Sequence, residues 1–460
     1  MIELNTISHV HLIGVNGIGV SAIANFLVRR GIIVSGSDIS LKGAGHLPEG
    51  TYWEGSQDDR ITSSIDLIVY SPAVPFDDKE RVKGRSLNIP ELSYPEMLGV
   101  VAAGHTRTIA ISGTHGKSTT TSLVGEFFEE GKFDPTVIVG GIVPKWHSNL
   151  RYGTKELFVV EACEYRAHML HIPAQTILIT NLELDHPDYY RDIAHVQDTF
   201  RDYISKQTSQ DNLVVNGDDI HLSAILDHAV GRVIRYGMTG AELDLRGTVV
   251  AHDEDTQTIR MIWRGETLGE VTTRLPGTYN VMNILAGSAV FLAHGGTIDA
   301  IRNVLRDFEG VGRRFELVGY SGGSAVVSDY AHHPTALKAV TDAAKERYHE
   351  KELIVVFRPH HQERTKRLYR EFMNVFSHID HLILLEIYDV AGRESTGNIT
   401  TQQMVDELRA QGHTDAIYAS TFDDARTILE RKGLSEQQVV LVVGAGDADE
   451  FARSLITEAA

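Results

Sequence analysis

The stretch from Thr108 to Phe128, TIAISGTHGKSTTTSLVGEFF, constrains the fold more than any other part of this chain. A short apolar run, Thr108 to Ser112, meets Gly113-Thr114-His115-Gly116-Lys117-Ser118-Thr119, and a helix-compatible segment follows. Strand, glycine loop and helix in that order make a phosphate cradle. The glycines let backbone N–H groups close around phosphate oxygens, and the helix N-terminus adds partial positive charge. Lys117 is placed to reach the β- and γ-phosphates, and the Ser118 hydroxyl to ligate Mg²⁺. The loop is shorter than the usual pattern, because Ile111 stands where the first glycine would be. A parallel α/β sheet handling a nucleoside triphosphate is the expected setting.

The rest of the chain bounds that setting. At 460 residues it holds about three domains by ordinary domain size. A formal net charge of −19 and the absence of a long Lys/Arg run disfavour a nucleic-acid surface. Cys163 is the single cysteine, so neither a disulfide framework nor a cysteine metal site can form. The opening MIELNTISHVHLIGV lacks a basic leader region, and the apolar runs are too short to span a bilayer. A cytoplasmic protein without membrane insertion is expected.

Strand-like runs alternate with helical patterns almost throughout, which predicts α/β layers with parallel sheets. The first block opens with His9 to Ile13, a glycine loop and a helical run from Ser21 to Arg30. The second carries apolar strands at Leu157–Val160, Thr176–Thr180 and Asn212–Asn216, then an alternating, antiparallel-looking patch from about Asp244 to Leu275. A helix is predicted from about Asn280 to His294, and Glu309-Gly-Val-Gly-Arg-Arg314 reads as a linker. The third block has strands at Ala325–Ser328, Leu353–Phe357, His381–Leu385 and Val439–Val443.

Three groups of residues carry chemistry. In the first block Gly17-Ile-Gly19-Val-Ser-Ala22 fits a dinucleotide fingerprint, with Asp38 about 20 residues on where a ribose-binding acid would stand. Read alone, this points to NAD; a UDP-type diphosphate would use the same helix N-terminus, and a tight turn without a ligand is the plainest alternative. In the second block one strand delivers Glu161 and the next leads to Asp185-His186. Ligands gather at the carboxyl ends of parallel strands, so Glu161 and His186 should converge near the phosphate loop and could hold a divalent metal. Mg²⁺ prefers oxygen, which makes a histidine ligand unusual; a salt-bridged strand end and a loop histidine are the alternatives. In the third block Asp329-Tyr-Ala-His332-His333-Pro334 and Arg358-Pro-His-His-Gln-Glu-Arg364 sit at neighbouring strand ends, a pattern suited to a small substrate bearing a carboxylate.

Together these residues resemble the Mur ligases of bacterial cell-wall synthesis, over essentially the whole chain. The resemblance rests on GTHGKST, Glu161-Ala-Cys-Glu164, Thr180-Asn-Leu-Glu-Leu-Asp-His186, Asn280-Val-Met-Asn283, Gly312-Arg-Arg314 and Asp329-Tyr-Ala-His-His-Pro. GVNGIG followed by GSD, the histidine of GTHGK, and Pro359-His360 with Arg364-Thr365 point to the alanine-adding branch. The resemblance implies a Rossmann-like UDP-sugar domain over residues 1–105, a central P-loop domain over 106–314 and a Rossmann-like amino-acid domain over 315–460. It implies ATP and Mg²⁺, UDP-N-acetylmuramate and L-alanine as substrates, and a monomer or weak homodimer. Gly113, Thr114, His115, Gly116, Lys117, Ser118, Thr119, Asn283, Arg314 and Asp329 would then bind ATP. Gly14, Gly17, Gly19, Ser37, Asp38, Ser71, His115 and Glu164 would hold the UDP-sugar, and Ser118, Glu161 and His186 the metal. Lys117, His332 and Arg364 would serve catalysis. Two departures stand out: the family's E-A-D-E reads E-A-C-E here, and His195 to Phe200 lacks the lysine that related members carbamoylate.

Overall fold

The structure, a computed structural model, describes residues 2–388 and 399–456. Three sheets follow one another along the chain. The first is five parallel strands in the order Thr51–Glu54, Ile33–Asp38, His9–Ile13, Leu67–Tyr70, Glu91–Ser93. The second has ten strands. Its parallel middle places the phosphate-loop strand Arg107–Ser112 between Thr176–Ile179 and Leu157–Glu161. The antiparallel patch appears as the strands Leu245–His252, Gln257–Trp263 and Glu266–Thr273 at one edge. A hairpin, Thr136–Val143 with Ser148–Arg151, closes the other edge. The third sheet has six strands, all parallel except the edge strand Glu316–Ser321.

The central strands are nearly continuous apolar runs because helices cover both faces of a parallel sheet. Leu157–Glu161 buries all but its last residue, and that residue is the strand-end Glu161. The loop helix, Lys117–Glu130, starts at Gly116, whose φ of 83° is left-handed. It packs on the helix Thr278–Ala293, where Gly287 lets Phe127 and Leu123 approach closely.

Burial divides the molecule unequally. One apolar cluster runs without a break from Val10, Phe26 and Leu67 of the first unit into Phe158, Ile177 and Phe200 of the second. At that seam Asn149 Nδ2, on the hairpin, donates to the Ile18 carbonyl and, at 3.1 Å, to Ser21 Oγ. The clusters on the two faces of the third sheet hold only residues of its own unit. That unit meets the rest through polar contacts: Arg364 with Asp185, the Thr335 hydroxyl with Glu183, Arg347 with the Arg274 carbonyl and Arg367 with the Arg191 carbonyl.

Candidate active site

All three units line one cavity of about 1160 Å³. Ile18 and Gly19 come from the first, the loop from Thr114 to Thr119 with Glu161 and His186 from the second, and Asp329, His332 and Arg364 from the third. Residues 310–314, predicted as a linker, also line it.

The phosphate loop is built by close approach. A Cβ on Gly113 would meet Thr180 Oγ1 at 2.3 Å, and one on Gly116 would meet Asn283 Oδ1 at 2.2 Å. Gly116→Ala should therefore cost about 1–3 kcal/mol in stability, through the left-handed φ and the overlap together. A thermal melt reads that loss; Asn283→Ala added to it should recover part, and no loss would refute the packing.

Lys117 Nζ donates to the carbonyls of Gly113 at 2.7 Å and Thr114 at 2.9 Å, and lies 2.8 Å from Glu164 Oε2. Burial works against ionisation of Glu164, but Lys117 and His186 outweigh it and hold the carboxyl at about 2. Glu164 thus faces Lys117 and His186, whose Nε2 is 3.4 Å from its Oε1. Cys163, beside them, has its thiol pushed up to about 12 by burial and by Glu164, so it stays protonated and inert. Arg314 Nη2 reaches Ser118 Oγ at 3.4 Å, bringing a second cation to the loop.

Ser118 and Glu161 offer hard oxygens, a donor set that fits Mg²⁺. The Gly140 amide fixes Glu161 by donating to Oε2 at 2.7 Å. His186, at a left-handed φ of 53°, turns its Nε2 to Glu164, while its buried Nδ1 has no hydrogen-bond partner. That orphaned nitrogen leaves room for a ligand contact at this corner.

In the first unit Gly14, with φ 81°, lies against Ser71, and Gly17 precedes the helix Ile18–Arg29. Gly19 is where a Cβ would meet Tyr94 at 2.7 Å. Two residues expected at the sugar nucleotide also have partners within the protein. The Ser37 hydroxyl points inward and donates to Glu80 Oε2 at 2.5 Å, so Ser37 serves the loop through its carbonyl, which accepts from Gly14 and Val15. Asp38 Oδ2 accepts from the Asn16 amide at 2.9 Å, so one oxygen of the acid read as a ribose ligand closes its own loop.

In the third unit Asp329 accepts from the amides of Phe315 and Ala331 at 2.8 and 2.7 Å. Burial raises its carboxyl above the ordinary value, against the pull of Arg314. Arg364 donates from Nε to Asp185 Oδ1 at 2.8 Å, with both side chains almost fully buried. Arg364 also donates to His360 Nδ1 at 2.8 Å. His332 Nδ1 lies 2.9 Å from the Tyr330 carbonyl, which can only accept, so Nδ1 carries the proton and Nε2 the lone pair. Burial and Arg364 hold His332 well below the ordinary imidazole range, and it is neutral near pH 7.

Sequence reasoning missed Glu183. It accepts from the Thr335 hydroxyl at 2.6 Å and lies 2.9 Å from His115 Nε2, joining the phosphate loop to the third unit. Asn181, Glu183 and Asp185 alternate on the extended segment after their strand, and that alternation was the available signal. His168 was also missed; burial, with His171 and Arg166, lowers it to about 4.

These histidines predict an acid-labile fold. His105, His168, His294, His332 and His333 all titrate below 6.5 when folded, with burial the leading cause. As pH falls through 6.5 the unfolded chain takes up protons that the folded chain refuses, so stability drops. Each such group removes up to about 1.4 kcal/mol by one unit below that value. Urea midpoints at pH 7.5 and 5.5 measure the loss, and His168→Asn should flatten it; equal midpoints would contradict it.

A glycine loop on a strand end, two cations reaching it and a cavity shared by three α/β units define a nucleotide-dependent enzyme that brings separate substrates together. The profile of the Mur ligase middle domain matches residues 111–291, that of the Mur ligase glutamate ligase domain 313–446, and that of the Mur ligase family catalytic domain 9–106. The chain belongs to the Mur ligase family, whose members are ATP-dependent amide-bond-forming ligases. It is 35% identical over 444 residues to the UDP-N-acetylmuramate–L-alanine ligase of Clostridium kluyveri, covering 95% of each chain. The crystal structure of the UDP-N-acetylmuramate–alanine ligase of Thermotoga maritima shares the fold at a TM-score of 0.81 and 24% identity, covering 97% of this chain and 98% of that one. A murein peptide ligase from Psychrobacter arcticus aligns at a TM-score of 0.71 and 20% identity, with coverage of 97% and 98%.

Proposed function

We propose that this protein joins L-alanine to the lactyl carboxylate of UDP-N-acetylmuramate, consuming ATP, in the cytoplasmic synthesis of peptidoglycan precursors. A cavity faced by all three units carries the reading, because a ligase must bring a nucleotide, an acid and an amine to one point. Residues 1–105, 106–314 and 315–460 are taken as the UDP-sugar, ATP and amino-acid domains, in a monomer or weak homodimer.

The lactyl carboxylate attacks the γ-phosphorus, the bond to ADP breaks, and an acyl phosphate forms. Lys117 and Arg314 neutralise the charge that develops on the phosphoryl oxygens. Ser118, Glu161 and His186 would hold magnesium, which supplies further charge stabilisation when bound. The neutral alanine amine then attacks the acyl carbon, and phosphate departs. His332 Nε2, with its lone pair free of the Tyr330 hydrogen bond, accepts the amine proton. Arg364 is poised for the amino-acid carboxylate. Closure of the third unit keeps water from the acyl phosphate.

Purified protein given UDP-N-acetylmuramate, ATP and magnesium should release phosphate on addition of L-alanine. Release only with a preformed tripeptide would replace this reading with ligation of that peptide to the same sugar nucleotide, a wall-recycling reaction. Release with neither would end both.

A further inference from the structure

Among the described residues one trio of His, Cys, Asp or Glu side chains brings three ligand atoms within 4.8 Å of one another: His115, Glu183 and His333. His115 is expected at the nucleotide, while Glu183 and His333 have no part in the chemistry given above. His115 comes from the phosphate loop, Glu183 from the segment after the strand Thr176–Ile179, and His333 from the residue that caps the helix Pro334–Arg347.

We propose that His115, Glu183 and His333 form a transition-metal site of the Zn²⁺ class that ties the phosphate loop to the third unit and slows turnover when filled. The spacing suits such an ion. Tetrahedral zinc with bonds of about 2.0–2.1 Å sets its ligand atoms about 3.3 Å apart. Glu183 Oε2 lies 2.9 Å from His115 Nε2 and 3.6 Å from His333 Nδ1, on either side of that value.

The surroundings orient the ligands as outer partners do at metal centres. The Thr335 hydroxyl holds Glu183 Oε1 at 2.6 Å, which leaves Oε2 turned to the imidazoles. The Thr335 amide donates to His333 Nδ1 at 3.3 Å, so this nitrogen is unprotonated, and an ion would take its lone pair over from that long helix-cap bond. His333 is 3% exposed; its Nδ1 caps the helix, and its Nε2 has no hydrogen-bond partner. The His115 backbone is fixed by its amide donating to Asn181 Oδ1 at 2.9 Å. Two imidazoles with one carboxylate favour Zn²⁺, Co²⁺ or Ni²⁺ over Mg²⁺, which prefers an all-oxygen set. The trio is therefore chemically distinct from Ser118, Glu161 and His186.

The test uses the full chain, stripped with a chelator and then held in excess Mg²⁺. Calorimetric titration with ZnCl₂ should show one ion per chain. Glu183→Gln and His333→Gln should each weaken binding by at least about tenfold. His186→Asn should bind as the wild type does, with thermal melts confirming that each variant is folded. Co²⁺ should give the strong visible bands of tetrahedral coordination in the wild type. In the phosphate-release assay Zn²⁺ should slow the wild type and leave His333→Gln unaffected. No zinc binding, undiminished binding in both trio variants, loss confined to His186→Asn, or weak octahedral cobalt bands would each overturn the site. The binding arms need no substrate, so they stand even if the ligase reading fails. If either trio variant does not fold, the other and the cobalt spectrum decide.

Discussion

Lys117→Ala should form product about a thousandfold more slowly than the wild type at saturating substrates. Removing one preorganised group that meets transition-state charge commonly costs that much. The structure gives the reason for a large effect. The ammonium is already centred in the loop, held by the carbonyls of Gly113 and Thr114 and by Glu164. Few protein groups need to move before it meets a phosphoryl oxygen. Lys117→Arg should not rescue the rate, because a planar guanidinium cannot occupy a pocket cut for a tetrahedral ammonium. The alanine variant also strands Glu164, which is 3% exposed, so its carboxyl should rise from about 2 toward neutrality. Lys117→Ala with Glu164→Gln should therefore melt higher than Lys117→Ala alone while remaining inactive. Near-normal phosphate release by Lys117→Ala would remove the loop from the chemistry.

Arg364→Ala should be the most damaging single change in the third unit. The Asp185–Arg364 pair is almost fully buried, and deleting one member of such a pair costs about 3–5 kcal/mol because the other charge is left without compensation. Two consequences should separate in the data. The apparent KM for L-alanine should rise by at least about tenfold, from loss of the guanidinium. Thermal stability should also fall, and Asp185→Asn combined with Arg364→Ala should be less destabilised than the sum of the singles. Additive losses would mean that the two side chains do not act as a pair. An unchanged KM would remove Arg364 from the proposed amino-acid pocket.

The sequence carried the sheets better than their edges. Leu157–Glu161, Thr176–Ile179 and Asn212–Asn216 were legible because strands buried on both faces read as unbroken apolar runs. The hairpin Thr136–Val143 was not, since Gly140 and Gly141 interrupt it and its register shifts. Edge strand Glu316–Ser321 alternates no apolar face and buries none of its residues, so nothing in its composition marked it. The phosphate loop was legible because its chemistry is local to seven residues, 113–119. Glu183 was not: its partner Thr335 lies 152 positions away, a separation that no local pattern bridges. The Glu80 carboxylate behind the Ser37 hydroxyl was not legible either, because the two lie 43 positions apart.

The shared core of the first two units has a further consequence. Interlocked side chains at that seam fix the distance from the loop running from Gly14 to Gly19 to the phosphate loop. The third unit is attached by a few ion pairs and hydrogen bonds, which water can replace at modest cost. With the third unit as the proposed amino-acid domain, selectivity for the amine can diverge while the other two units stay the same. A foreign third unit would need to match a handful of charges on its host, with no shared interior to re-tailor.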